Sequence, residues 1–90
     1  MDISNARQLI DSIDRQITDL FCQRMACSAA IGAYKKEQGL PIFVPEREQM
    51  ILRTLAEQAA PEYKEYVQML YTRIFELSRQ YQTSLIEKEG

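Results

Sequence analysis

Apolar residues recur along the first third of the chain at a spacing of seven: Ile3, Ile10, Ile17 and Ile31 fall on one line, interleaved with Ala6, Ile13, Leu20, Cys27 and Tyr34. This is an a/d heptad pattern, and it predicts one long helix packed along its length against another. The place between Ile17 and Ile31 on the isoleucine line belongs to Arg24. A single polar residue at a core position can fix the register of a helix pair. A cation there also calls for an anionic partner. Ser28 and Lys35 follow Arg24 at four and eleven positions, within about 40° of it on the helix. Two cations about 16 Å apart at Cα, with side chains long enough to converge, thus border an apolar seam. That arrangement predicts a bound anion.

Punctuation along the chain sets the remaining elements. The first helix is expected to run from Ser4, a plausible N-cap, to about residue 37, where Gly39 and Pro41 supply stop signals. Such a helix is about 50 Å long and must reach beyond its own chain. Residues 39–44 read as a loop, and Pro45 suits the first turn of a second helix ending near residue 60. Pro61 is expected to open a third helix, reaching about residue 88, with Tyr63, Tyr66, Val67, Leu70, Tyr71, Ile74, Phe75, Tyr81 and Leu85 as its apolar and aromatic positions. No strand, repeat or low-complexity segment competes. The predicted class is all-α, with three helices per chain: long, short, long.

Composition narrows what such a fold could do. A chain of 90 residues forms one small domain with a marginal core, yet 46% of its residues are hydrophobic. Pairing of two chains through the heptads is the natural way to bury them. A net charge of -2 with dispersed basic residues gives no nucleic-acid footprint. Without a long apolar stretch or a signal-like N-terminus, a cytoplasmic protein with no membrane partner is expected. Cys22 and Cys27 point about 140° apart on one helix and cannot bridge each other there. The absence of histidine removes the usual catalytic base, the Ser-His-Asp triad and most transition-metal sites.

Two further groups of polar residues stand where apolar ones are expected. Ser78 and Gln82 form an i, i+4 pair on the line of Tyr71 and Phe75, so their polar ends face inward. Hydrogen bonding between helices is one account of them. Arg47 and Glu48 lie in the first turn of the second helix, where one account has Glu48 complementing the helix dipole and Arg47 serving simply as a surface cation.

Taken in order, these residues resemble the all-helical chorismate mutases. The resemblance is carried by Ala-Arg-Gln-Leu-Ile-Asp-Ser-Ile-Asp at 6–14, Leu20 followed by Arg24 and then by Lys35, Val-Pro-Glu-Arg-Glu at 44–48 and Ser-Arg-Gln-Tyr-Gln at 78–82. It spans nearly the whole chain, so one domain of this kind is expected over residues 1–90. Each motif is loose, but the ordered set over three helices is specific. The resemblance implies an intertwined helical homodimer with two equivalent sites, which rearrange chorismate to prephenate in aromatic amino acid biosynthesis and need neither cofactor nor metal.

Position by position, the resemblance gives Arg24 one substrate carboxylate and the partner's Arg7 the other, helped by Arg47 and Ser78. Lys35 and Gln82 would donate to the ether oxygen, on which negative charge builds as the carbon–oxygen bond breaks. Glu48 would accept from the ring hydroxyl, assisted by the backbone of Val44. Arg24, Lys35 and Gln82 are therefore the expected catalytic residues. Geometry agrees with a shared site, since Arg7 lies about 25 Å along the helix from Arg24 and is turned by about 100°, too far to grip one small ligand from the same chain. Two departures are visible: Val44 replaces an aspartate common in the family, and Gln82 replaces a glutamate found in some relatives. Because an amide donates without being protonated, a broad pH profile is expected. Two rivals stand beside this reading. One is an isochorismate-pyruvate lyase of the same fold, towards which Val-Pro-Glu-Arg leans, while Glu48 and the Ser78/Gln82 pair lean back to the mutase. The other is a non-catalytic helical dimerisation module, which accounts for Arg24 and little else.

Overall fold

The structure is a computed structural model that describes residues 2–89, and the side chains of residues 2–87. Three helices follow in order, α1 (Ile3–Gln38), α2 (Pro45–Gln58) and α3 (Lys64–Glu89), with a 3₁₀ turn at Pro61–Tyr63 leading into the last. The all-α, long-short-long architecture is the expected one, and no strand occurs among the described residues. α3 is the central element, packing against both α1 and α2.

Helix termini follow local chemistry, with three departures from expectation. The N-cap of α1 is Asp2 rather than Ser4: its carboxylate accepts from the Asn5 amide at 2.8 Å, which satisfies a first-turn donor two residues earlier and leaves Ser4 inside the helix. α2 stops at Gln58 rather than near residue 60: its C-cap Ala59 is extended (ψ 149°), and Ala60, which precedes a proline, is held out of the α region (ψ 142°). Pro61 starts a 3₁₀ turn, in which the Tyr63 amide donates to the Ala60 carbonyl at 2.9 Å, and regular α-helix begins only at Lys64.

The end of α1 matches its signal. Gly39 takes φ 66°, ψ 30°, and the Leu40 amide donates to the Lys35 carbonyl at 2.8 Å while the Gly39 amide donates to Lys36 at 3.3 Å. This is a Schellman motif, which a glycine enters without steric cost. It turns the chain so that residues 39–44 lie beside the C-terminal half of α1, and the Lys35 ammonium donates to the Ile42 carbonyl at 3.0 Å.

A single chain encloses very little apolar core. Phe75 is the one buried hydrophobic side chain described, and it is accompanied by buried Ser28, Ser78 and Gln82. The heptad line is bare: Ile3, Ile17 and Leu20 are 68%, 57% and 62% exposed, and Ile10, Ile13, Ile31 and Tyr34 are exposed as well. The radius of gyration is 16.2 Å, against about 12 Å for a compact chain of this length. The extents of 53 × 26 × 14 Å are those of a rod with one side unfinished. Among the described residues no helix is long and apolar enough to cross a membrane.

Candidate active site

The polar residues that the fold buries surround a cavity of about 400 Å³ between the three helices and the 39–44 segment. Arg24, Lys35, Val44, Arg47, Glu48, Ser78 and Gln82 all line it, so seven of the eight residues singled out in the sequence come together. The eighth, Arg7, sits on the exposed surface of α1 and lines no part of this cavity.

Arg24 is half-buried, and among the described residues no carboxylate pairs with it. Its Nη1 donates to Ser78 Oγ at 3.0 Å, and its guanidinium lies 5.6 Å from the Phe75 ring centroid and 5.9 Å from that of Tyr71. Ser28 Oγ donates to Ser78 Oγ at 3.2 Å, and Ser78 Oγ in turn donates to Met25 Sδ at 3.9 Å. Ser78 therefore works first as a prop for Arg24. One hydroxyl and two ring faces leave most of the five guanidinium donors uncommitted in a partly desolvated place, which is the condition of a cation built to receive an anion.

Gln82 is held with equal care. Its Nε2 donates to the Ser28 carbonyl at 2.8 Å, and because that carbonyl can only accept, the contact settles which end of the amide faces α1. Among the described residues the second N–H of the same nitrogen has no acceptor. Gly32 makes the approach possible. A Cβ at this position would lie 3.0 Å from Gln82 Cγ and 3.3 Å from Gln82 Cβ. An exposed mid-helix Gly→Ala change stabilises by up to about 1 kcal/mol. At position 32 the sign is expected to reverse: Gly32→Ala overpacks the α1–α3 contact, costing about 1–3 kcal/mol in denaturant unfolding and pushing Gln82 off Ser28. A Gly32→Ala variant more stable than the parent would contradict this close approach.

α2 presents its first turn to the cavity. The Val44 carbonyl accepts from the Arg47 amide at 3.1 Å and the Glu48 amide at 3.3 Å, so it serves the helix start, and recognition of a hydroxyl through Val44 would run through its amide N–H. Glu48 is half-buried and accepts from Arg79 Nη1, while Arg47 stays exposed with its Nη1 against Met50 Sδ at 3.9 Å. Four cations, Arg24, Lys35, Arg47 and Arg79, thus face the cavity against one carboxylate, Glu48. The balance suits a ligand with more than one negative charge.

Four contributors escaped the sequence reading. Arg79 lies inside the 78–82 motif but reads as a surface residue between two inward ones. Gly32 carried a signal, a glycine in the interior of a strongly periodic helix, which often marks a close approach. Phe75 and Tyr71 read as packing residues, and nothing in their spacing announces that a guanidinium will lie over their rings.

The chain matches the model of the family "Chorismate mutase type II" over residues 6–83. Among curated proteins it is 38% identical over 58 residues to a T-protein of Enterobacter agglomerans, which is 64% of this chain and 16% of that one. It is 39% identical over 51 residues to a T-protein of Haemophilus influenzae, 57% of this chain and 14% of that one. The chain therefore spans less than a fifth of the length of these curated relatives. Among solved structures, the chorismate mutase from Helicobacter pylori in complex with prephenate shares the fold with a TM-score of 0.85 and 31% identity, covering 94% of this chain and 93% of that one. A matched model that spans nearly all three helices, and a solved structure that superposes along their length, agree on the assignment: the chain belongs to the chorismate mutase type II family.

Proposed function

We propose that the protein is a chorismate mutase, converting chorismate to prephenate by intramolecular rearrangement in aromatic amino acid biosynthesis. The observation that carries the reading is the cavity itself, where four cations and a fixed amide donor meet around one carboxylate. The reaction needs no nucleophile, proton shuttle or metal. It needs a flexible dianion held in its compact reactive conformer and charge stabilised on the ether oxygen as the carbon–oxygen bond breaks. Arg24, propped by Ser78, binds one carboxylate, with Arg47 near it. Lys35 keeps two ammonium donors beyond its bond to Ile42, and Gln82 keeps one amide donor beyond its bond to Ser28. These donors are preorganised before substrate arrives, and preorganised donors lower a barrier without reorganising during the reaction. Glu48 accepts from the ring hydroxyl, with the Val44 amide beside it.

The working form in this proposal is an intertwined homodimer in which the partner's Arg7 binds the second carboxylate. Its support is the bare heptad line of α1 and an apolar groove of about 370 Å³ that runs from Arg24 between Ile17, Leu20, Leu70, Ile74 and Leu77. A single chain leaves both without cover. One domain over residues 1–90 and a cytoplasmic location belong to the same proposal, and two exposed free cysteines are at home in a reducing compartment.

A mixing experiment tests the activity and the shared site together. Arg7→Ala and Arg24→Leu dimers are each expected to turn chorismate over poorly beside active wild type. Unfolded and refolded as a mixture, they form heterodimers with one intact site, and about a quarter of wild-type activity is expected to return. No recovery would overturn the shared site, and a wild type that leaves chorismate unchanged would overturn the mutase reading.

A further inference from the structure

Arg79 stands one residue beyond Ser78 on α3 and reaches the cavity from the side of α2. Its Nη1 donates to Glu48 Oε2, and its guanidinium carbon lies 4.5 Å from the centroid of the Phe43 ring. The ion-paired side chains are 30% and 21% exposed, so solvent screens this pair less than it screens a surface pair. By contrast the Arg73–Glu76 pair, at 60% and 44%, is an ordinary surface contact.

Three consequences follow from this placement. One oxygen of the Glu48 carboxylate is committed to Arg79, so the carboxylate rotamer is set and the other oxygen is free to accept. The negative charge of Glu48, which stands in a cavity otherwise suited to anions, is offset by a cation in direct contact. The stacked ring draws the 39–44 segment against α3, while Lys35 draws the same segment against α1 through Ile42. A planar guanidinium can pair at its edge and stack on its face at once, which an ammonium cannot do.

We propose that Arg79 is a positioning residue of this site, acting through Glu48: it aims the carboxylate that accepts the substrate hydroxyl and cancels the repulsion that carboxylate would exert on a dianion. The inference rests on the mutase reading. It predicts an effect mainly on KM, because a repulsive carboxylate weakens binding of the ground state and the transition state alike.

The test compares kcat and KM for chorismate among wild type, Arg79→Ala, Arg79→Lys, Glu48→Gln and the Arg79→Ala/Glu48→Gln double variant, each checked for helicity and melting. Arg79→Ala is expected to raise KM about tenfold with a smaller fall in kcat, and Arg79→Lys to recover part of that loss. In the Glu48→Gln background, where no charge needs offsetting, adding Arg79→Ala is expected to change KM less than about twofold, a non-additivity typical of residues in direct contact. Should Arg79→Ala misfold, Arg79→Met keeps the stem against Phe43 and takes its place. A wild-type KM in Arg79→Ala, or the same fold-change in both backgrounds, would overturn the role through Glu48 while leaving the mutase intact. A wild type inactive on chorismate would remove the functional reading, and this role with it.

Discussion

Replacing Arg24 with leucine is expected to leave a folded helical protein whose kcat/KM for chorismate is lower by about three orders of magnitude. The two halves of this prediction come from one geometry. Arg24 is half-buried among Phe75, Tyr71 and the Ser78 hydroxyl, with no carboxylate beside it among the described residues. Such a cation contributes little to folding, and an apolar side chain in its place is expected to hold or raise the melting temperature. In the proposed mechanism it supplies a fixed charge for a substrate carboxylate, and with it the conformer in which the reacting carbons approach. A helical dimerisation module predicts the same stability and no ligand effect at all. Melting curves and steady-state kinetics on one preparation therefore separate the accounts, and a loss of turnover below about tenfold would contradict the role given to Arg24.

Gln82→Glu carries the second large expectation, and its sign depends on pH. The native amide donates to the Ser28 carbonyl and, in the proposed mechanism, gives its other N–H to the ether oxygen, and neither bond needs a titrating proton. An ionised glutamate can only accept, so at neutral pH it faces the Ser28 carbonyl and the developing negative charge with no donor to offer. The protonated acid recovers one. kcat/KM of Gln82→Glu is thus expected to fall about a hundredfold or more at neutral pH and to climb as pH drops into the carboxylic-acid range, while the wild type stays flat over neutral and alkaline pH. A flat profile for Gln82→Glu, or a wild type that loses activity with a carboxylic-acid titration, would remove Gln82 from the ether oxygen.

The heptads and the prolines made the architecture legible, because helix period and backbone punctuation are local properties. α1, α2 and α3 appear where Ile3 to Ile31, Pro45 and Pro61 put them, with ends shifted by one to three residues. The misplaced ends share a cause. Asp2 outcompetes Ser4 as a cap, and Pro61 holds Ala60 out of the α region, each an effect of a side chain or ring on a single backbone unit. Helical spacing fixes direction as well as period, which places Arg24 and Lys35 on one face of α1 and Ser78 and Gln82 on one face of α3, whereas Val44, Arg47 and Glu48 join them in the cavity through the docking of α2.

Arg79 and Gly32 mark where sequence reasoning stops. Whether a guanidinium at position 79 turns to water or to Glu48 depends on how α2 docks on α3, a long-range fact absent from either helix alone. Gly32 matters because α1 and α3 approach within van der Waals contact of Gln82 there, and the closeness is set by the crossing rather than by the residues flanking the glycine. Arg7 belongs to the same class: in the proposed dimer its place at a site depends on a second chain, whose register the heptads do not give.

Incubating the purified protein separately with chorismate and with isochorismate, and identifying the products by chromatography, decides which reaction the cavity serves. A mutase is expected to give prephenate from chorismate and no pyruvate from isochorismate. Pyruvate and salicylate from isochorismate, with chorismate left intact, would contradict it and assign the cavity to the lyase reaction.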